Sequence, residues 1–102
     1  MMKSFGDLMK QAQKVQKQMG ELQDQLAEER YEASSGGGAI KVVVDGKQML
    51  KTLTIDKSAL EEDDPTVIED LILTAVGEAQ RVSAEKMATE YGKLTGGFKM
   101  PF

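Results

Sequence analysis

The sequence contains no histidine and no cysteine. That excludes the commonest general base, the commonest metal ligand, thiolate nucleophiles and disulfides. Carboxylates, hydroxyls and lysines remain. The carboxylates cluster at Glu61-Glu62-Asp63-Asp64, where oxygen ligands could hold Mg²⁺ or Ca²⁺. The run lacks the alternating ligands and central glycine of an EF-hand loop. Pro65 follows it, and acids at the positive end of a helix dipole need no metal to explain them. Ser34, Ser35 and Ser58 have no histidine to activate them, which leaves nucleophilic catalysis with little support. Gly36-Gly37-Gly38 precedes a strand pattern and ends in no Gly-Lys-Ser/Thr, so it is not a phosphate loop. The expectation is a protein that is not an enzyme, with no cofactor, no metal and no small-molecule substrate.

The lysines carry the one remaining pattern. Lys3, Lys10, Lys14 and Lys17 are spaced so that a helix would place them on one outward face over about four turns. Such a stripe is either a solvated face or a set of point charges for a phosphate backbone, without base readout. Further along, the same face turns acidic at Glu21, Asp24 and Glu28. A polyanion would therefore meet only the N-terminal half of the helix.

The element that positions these lysines is a helix from Ser4 to about Glu29. Its apolar residues Phe5, Leu8, Ala12, Val15, Met19, Leu22 and Leu26 step alternately by three and four, which is a heptad seam. Ser4-Phe5-Gly6-Asp7 reads as a capping box, with Asp7 reaching back. The flanks of the seam hold Gln11, Gln16, Gln18, Gln23 and Gln25 where partner-selecting charge pairs normally sit. Two readings stay open: the seam packs on the protein's own second helix or sheet, or it contributes to a subunit interface.

Beyond Arg30 the period changes to two. Tyr31 and Ala33 share a face, and the serine-glycine run from Ser35 to Gly38 breaks the chain. Ala39 to Val44 is the best strand, with Ile40, Val42 and Val44 on one side. Asp45-Gly46 predicts a tight hairpin turn. Lys47 to Ile55 returns with Met49, Leu53 and Ile55 aligned. Lys51 interrupts that face, either by snorkelling at the sheet margin or through a bulge. Val43 and Leu50 on the other face point to partial cover there, for instance by a partner chain. Asp64 as N-cap and Pro65 at the first position start a second long helix. Ile68, Leu71, Ile72, Ala75, Val76, Ala79 and Val82 line one side of it. It continues through Met87 and Tyr91 and stops near Gly92.

At 102 residues the chain is a single domain, 1–102, with residues 93–102 as a flexible or docked tail. A chain this short buries a small core, so self-association is expected. No signal peptide or membrane-length apolar run is visible, which predicts a soluble cytoplasmic protein. Net charge is −4, but it is segregated. Residues 1–20 carry net +3 and residues 59–80 carry net −7. Local field decides what each surface attracts.

The layout resembles the bacterial YbaB/EbfC nucleoid-associated family. Leu8-Met9-Lys10-Gln11-Ala12-Gln13 looks like that family's opening helix. Ser35-Gly36-Gly37-Gly38, with Ile40, Val42, Val44 and Asp45-Gly46, resembles its glycine-plus-hairpin segment. Leu53-Thr54-Ile55-Asp56 resembles its third-strand exit. Glu69-Asp70-Leu71-Ile72 with Ala75 and Ala79 looks like its second-helix signature, and Leu94-Thr95-Gly96-Gly97 like its tail. Val76-Gly77-Glu78 and Met100-Pro101-Phe102 depart from the pattern, which has an asparagine and a Pro-Gly there. The resemblance implies an α+β fold: a long N-terminal helix, a three-stranded antiparallel β-meander and a second long helix, dimerised with projecting helical arms. It also implies double-stranded DNA as partner and a place in nucleoid organisation or gene regulation. The basic positions that match are Lys10, Lys14 and Lys17, with Lys86 and Lys93 after them. The rival expectation is a protein-interaction module, in which the Gln-flanked, Met-containing seam adapts to a partner helix.

Overall fold

The computed structural model describes residues 4–61 and 64–94. Lys3, Glu62, Asp63 and the tail beyond Leu94 lie outside the described residues. The elements follow in the order α1 (Phe5–Glu28), β1 (Tyr31–Ser35), β2 (Ile40–Val44), β3 (Leu50–Ile55), α2 (Lys57–Leu60) and α3 (Pro65–Leu94). A 3-10 turn over Gly36–Gly38 joins β1 to β2.

Both long helices start where their caps predict. Ser4 Oγ accepts the amide of Asp7 at 3.2 Å, which satisfies a backbone donor that the first turn cannot. Asp64 does the same for α3, accepting from the Thr66 amide at 3.0 Å and its hydroxyl at 2.7 Å. These two hydrogen bonds hold the Asp64 carboxyl below the usual carboxylate range. α3 runs through Gly92 to Leu94, two residues past the expected stop. Gly92 has helical neighbours on both sides and no proline follows to end the turn.

The sheet is an antiparallel meander in the order β1-β2-β3. Tyr31 pairs with Val44, Ala33 with Val42 and Ser35 with Ile40, so these six side chains share one face. α3 lies across that face and packs mainly on β1 and β2. Ile40, Val42 and Val44 are fully buried against Ala75 and Ala79. The two alanines, one turn apart, let the helix backbone come close to the sheet. Ile68, Leu71, Ile72 and Val76 fill in around them. Ser35 Oγ ties the start of the turn to the helix by donating to the Leu71 carbonyl at 2.6 Å.

The second hairpin differs from its expected form. Asp45-Gly46 does not make a two-residue turn: residues 45–49 connect the strands, and β3 begins at Leu50 rather than Lys47. The positive φ falls on Gln48, at 69°. Asp45 holds the loop with one carboxylate oxygen, which accepts the amides of Lys47 at 2.8 Å and Met49 at 3.0 Å. Met49 therefore lies outside the strand and is exposed. Lys51 marks a bulge: Val43 faces Thr52 while Val44 faces Leu50, leaving Lys51 as the extra residue. Its ammonium lies 3.8 Å from Asp45 Oδ2. Leu53 shares the core face with Val42, yet it is 42% exposed, because α3 does not extend over β3.

Candidate nucleic-acid interface

The heptad seam of α1 divides into two environments. Leu26 is fully buried and Leu22 half-buried, whereas Phe5, Leu8, Val15 and Met19 are exposed. The helix is thus anchored by its last two turns and projects as an arm, giving a molecule 71 Å long and 24 by 16 Å across. The own-chain reading of the seam does not hold for its whole length. Own-chain packing accounts for the root alone.

The root is built from the β2–β3 loop. Gly46 donates its amide to the Leu26 carbonyl at 2.8 Å. A Cβ on Gly46 would sit 2.5 Å from that carbonyl oxygen, so only glycine permits the approach. Ser83, fully buried on α3, donates to the Asp45 carbonyl at 2.8 Å. Loop, arm and second helix therefore meet at Asp45-Gly46. Burial pushes the Asp45 carboxyl up. The amides of Met49 and Lys47 and the charges of Lys51 and Arg30 outweigh that, and its pKa falls below the ordinary value. Beside this junction Tyr31 donates its hydroxyl to the Glu29 carboxylate. Burial, that hydrogen bond and the nearby charges of Glu29 and Glu90 push the Tyr31 pKa up to about 12.

Along the free arm Lys10, Lys14 and Lys17 are all exposed. Among the described residues none of the three takes part in an ion pair. Their axial spacings are about 6 and 4.5 Å at 1.5 Å per residue. Asp7 is the sole acid on α1 before Glu21. The basic side chains of α3 are in a different state. Arg81 bridges Glu78 and Glu85, each at 2.7 Å. Lys86 and Lys93 both reach Glu90, at 3.1 and 3.4 Å. Those two lysines hold the Glu90 carboxyl below its usual range, and Arg81 does the same for Glu78.

Of the expected site residues, then, Lys10, Lys14 and Lys17 come together as an uncompensated stripe. Lys86 and Lys93 share the single carboxylate of Glu90 on their own helix, and Lys93 lines the groove where α3 meets Gln18 and Glu21. Lys3 lies outside the described residues. Sequence reasoning missed the junction that aims the arm. Asp45-Gly46 was visible as a turn, but contact with Leu26 and Ser83 leaves no periodic trace. Among the described residues no group of three or more acids could hold a metal ion. No described helix is long and apolar enough to cross a membrane.

The family model described as the YbaB/EbfC DNA-binding family matches residues 2–98. A nucleoid-associated protein of Clostridium novyi (strain NT) is 42% identical over 98 residues, covering 96% of this chain and 86% of the relative. One from Desulforamulus reducens is 45% identical over 98 residues, covering 96% and 93%. Among solved structures, an uncharacterized protein from Helicobacter pylori superposes with a TM-score of 0.85 at 21% identity, covering 92% of this chain and 99% of that one. At that identity the last likeness speaks for the fold.

Proposed function

The chain belongs to the YbaB/EbfC DNA-binding family, and on that premise we propose that it is a nucleoid-associated homodimer that grips duplex phosphates with the basic halves of its two α1 arms. Curated relatives carry the name nucleoid-associated protein, and the family is a DNA-binding family rather than an enzyme family. The observation that carries the reading is the contrast between helices. Lys10, Lys14 and Lys17 lack intramolecular partners among the described residues, while Arg81, Lys86 and Lys93 have them. Unpaired lysines are free to replace DNA counterions, whereas those of α3 would first have to give up a carboxylate contact. Base-edge readout is not part of this mechanism, so affinity outweighs sequence preference. The place of action is the cytoplasm, on the nucleoid.

The homodimer rests on the sheet. Leu50, which the bulge sets opposite Val44 and not on the face of Val43 as expected, and Leu53 are 44% and 42% exposed on β3. Gln80 donates to the Gln48 carbonyl, which turns the Ile72–Val76–Gln80 row of α3 toward the β2–β3 loop. Leu73, 71% exposed, sits beside Val76 on that flank. These exposed apolar side chains, beside an unpaired strand edge, are what a second copy would cover. Two arms on one dimer raise an otherwise weak affinity through effective concentration.

The deciding experiment is a mobility-shift titration against random duplex with the Lys10→Glu/Lys14→Glu/Lys17→Glu variant. The expected result is loss of binding with dimer mass unchanged by light scattering. Unaltered binding would move the site elsewhere. The exposed seam favours a second reading, a protein-interaction module, which predicts no shift for the natural chain.

A further inference from the structure

The exposed part of the α1 seam is left unexplained by DNA contact, since it faces away from the lysines. Phe5 is 78% exposed, Leu8 53%, Val15 41% and Met19 37%. The contacts at the root give the direction of α3 relative to it. Leu26 lies at the Asp45-Gly46 loop beside Ser83. Gln23 Nε2 donates to the Tyr91 hydroxyl at 3.4 Å. Leu94 shares a groove with Gln18 and Leu22. As α3 advances from Ser83 to Leu94, its neighbours on α1 retreat from Leu26 to Gln18. The helices are antiparallel, and the C-terminal end of α3 at Leu94 points along α1 toward Phe5.

The sequence that follows, residues 95–102, is Thr-Gly-Gly-Phe-Lys-Met-Pro-Phe. Extended, it reaches about 27 Å at ~3.4 Å per residue. The uncovered seam from Met19 to Phe5 is about 21 Å long at 1.5 Å per residue. Phe98, Met100 and Phe102 alternate with Lys99 and Pro101, so an extended segment turns all three apolar side chains to one side. Ala12, the smallest seam residue, lies midway and leaves room for a large one.

We propose that residues 95–102 dock along the exposed α1 seam of the same chain, Phe98 near Val15 and the following apolar residues toward Leu8 and Phe5. A second copy's α1 is the weaker occupant. The glutamines flanking the seam supply no charge pairs to fix a register between helices. The tail, tethered at Leu94, competes at an effective concentration on the order of millimolar. The docked segment would hold the arm's apolar side covered while the opposite, basic side stays open.

The absence of cysteine from the chain makes the test direct. In the full-length protein, Val15→Cys/Phe98→Cys is compared with Gln13→Cys/Phe98→Cys, whose first cysteine points away from the seam. Docking predicts a disulfide within one chain, formed at least tenfold faster in the Val15 pair under mild oxidation at low micromolar protein, read by mass spectrometry. A disulfide between chains would assign the seam to a second copy. Equal rates in the two pairs would mean the tail does not dock. Independently, Phe98→Ser/Phe102→Ser should raise the fluorescence of an apolar dye severalfold, and unchanged fluorescence would overturn the proposal.

Discussion

The salt dependence of DNA binding gives a number that follows from the ion-pair pattern. Each arm presents Lys10, Lys14 and Lys17 without intramolecular partners among the described residues. A dimer that engages both arms neutralises about six phosphates, so log affinity against log salt should fall with a slope of about −5. Between 50 and 200 mM salt that is roughly a thousandfold loss. Lys14→Gln removes one contact per arm and should bring the slope to about −3.6. Lys86→Gln should leave it near −5, because Lys86 already sits 3.1 Å from Glu90. Along the axis Lys10 lies about 4.5 Å from Asp7 and Lys17 about 6 Å from Glu21, both within a screening length of ~8 Å at physiological salt, so Lys10→Gln and Lys17→Gln should cost similar affinity. The assay is fluorescence anisotropy on a short duplex over a salt series. A flat salt dependence would refute electrostatic gripping. A Lys86→Gln effect as large as that of Lys14→Gln would refute the division between paired and unpaired lysines.

Four further outcomes follow. Gly46→Ala places a methyl 2.5 Å from the Leu26 carbonyl oxygen and should cost roughly 1–3 kcal/mol, seen as a lower melting temperature with DNA affinity falling alongside it. Asp45 has a folded pKa below its ordinary value, so the unfolded chain binds more protons and the stabilisation is complete above about pH 4. It is lost as pH falls through the lower folded value; chemical denaturation from pH 6 to 2 should show this decline, flattened in Asp45→Asn. Leu53→Glu puts a charge on the uncovered β3 surface and should shift the scattering mass from dimer to monomer while far-ultraviolet dichroism stays unchanged. Ser83→Ala leaves the Asp45 carbonyl without its side-chain donor and should cost about 1 kcal/mol, measured by denaturant midpoint.

The elements were legible because their signals are local. Ser4 and Asp64-Pro65 marked the helix starts, and alternation marked the strands. Lys51 announced its own bulge by breaking the period of an otherwise apolar face. Less could be read where two segments distant in sequence decide the outcome. Asp45-Gly46 has the composition of a two-residue turn, yet contact with Leu26 and Ser83 makes its glycine a point of close approach and moves the positive φ to Gln48. Leu53 belongs to the core face by alternation, but its burial depends on how far α3 extends sideways. The lysine stripe was legible as a face. Which lysines have partners was not weighed, although Glu90 lies at helical spacing from both Lys86 and Lys93.

The heptad of α1 shows how one pattern serves two jobs. From Phe5 to Leu26 the repeat never changes, so periodicity alone describes one continuous buried seam. The structure divides it between Met19 and Leu22, close to where the outward face changes from lysine to acid at Glu21. The coincidence has a physical reason. The root packs against α3 beside Glu90 and Lys93, where carboxylates are partnered or solvated and phosphate has no place. The free half stands clear of that acidic body, so its lysines hold a positive field that the net charge of −4 does not cancel. Anchoring and the proposed phosphate contact are separated along one rod, and Asp45-Gly46, by fixing Leu26, sets where the rod points.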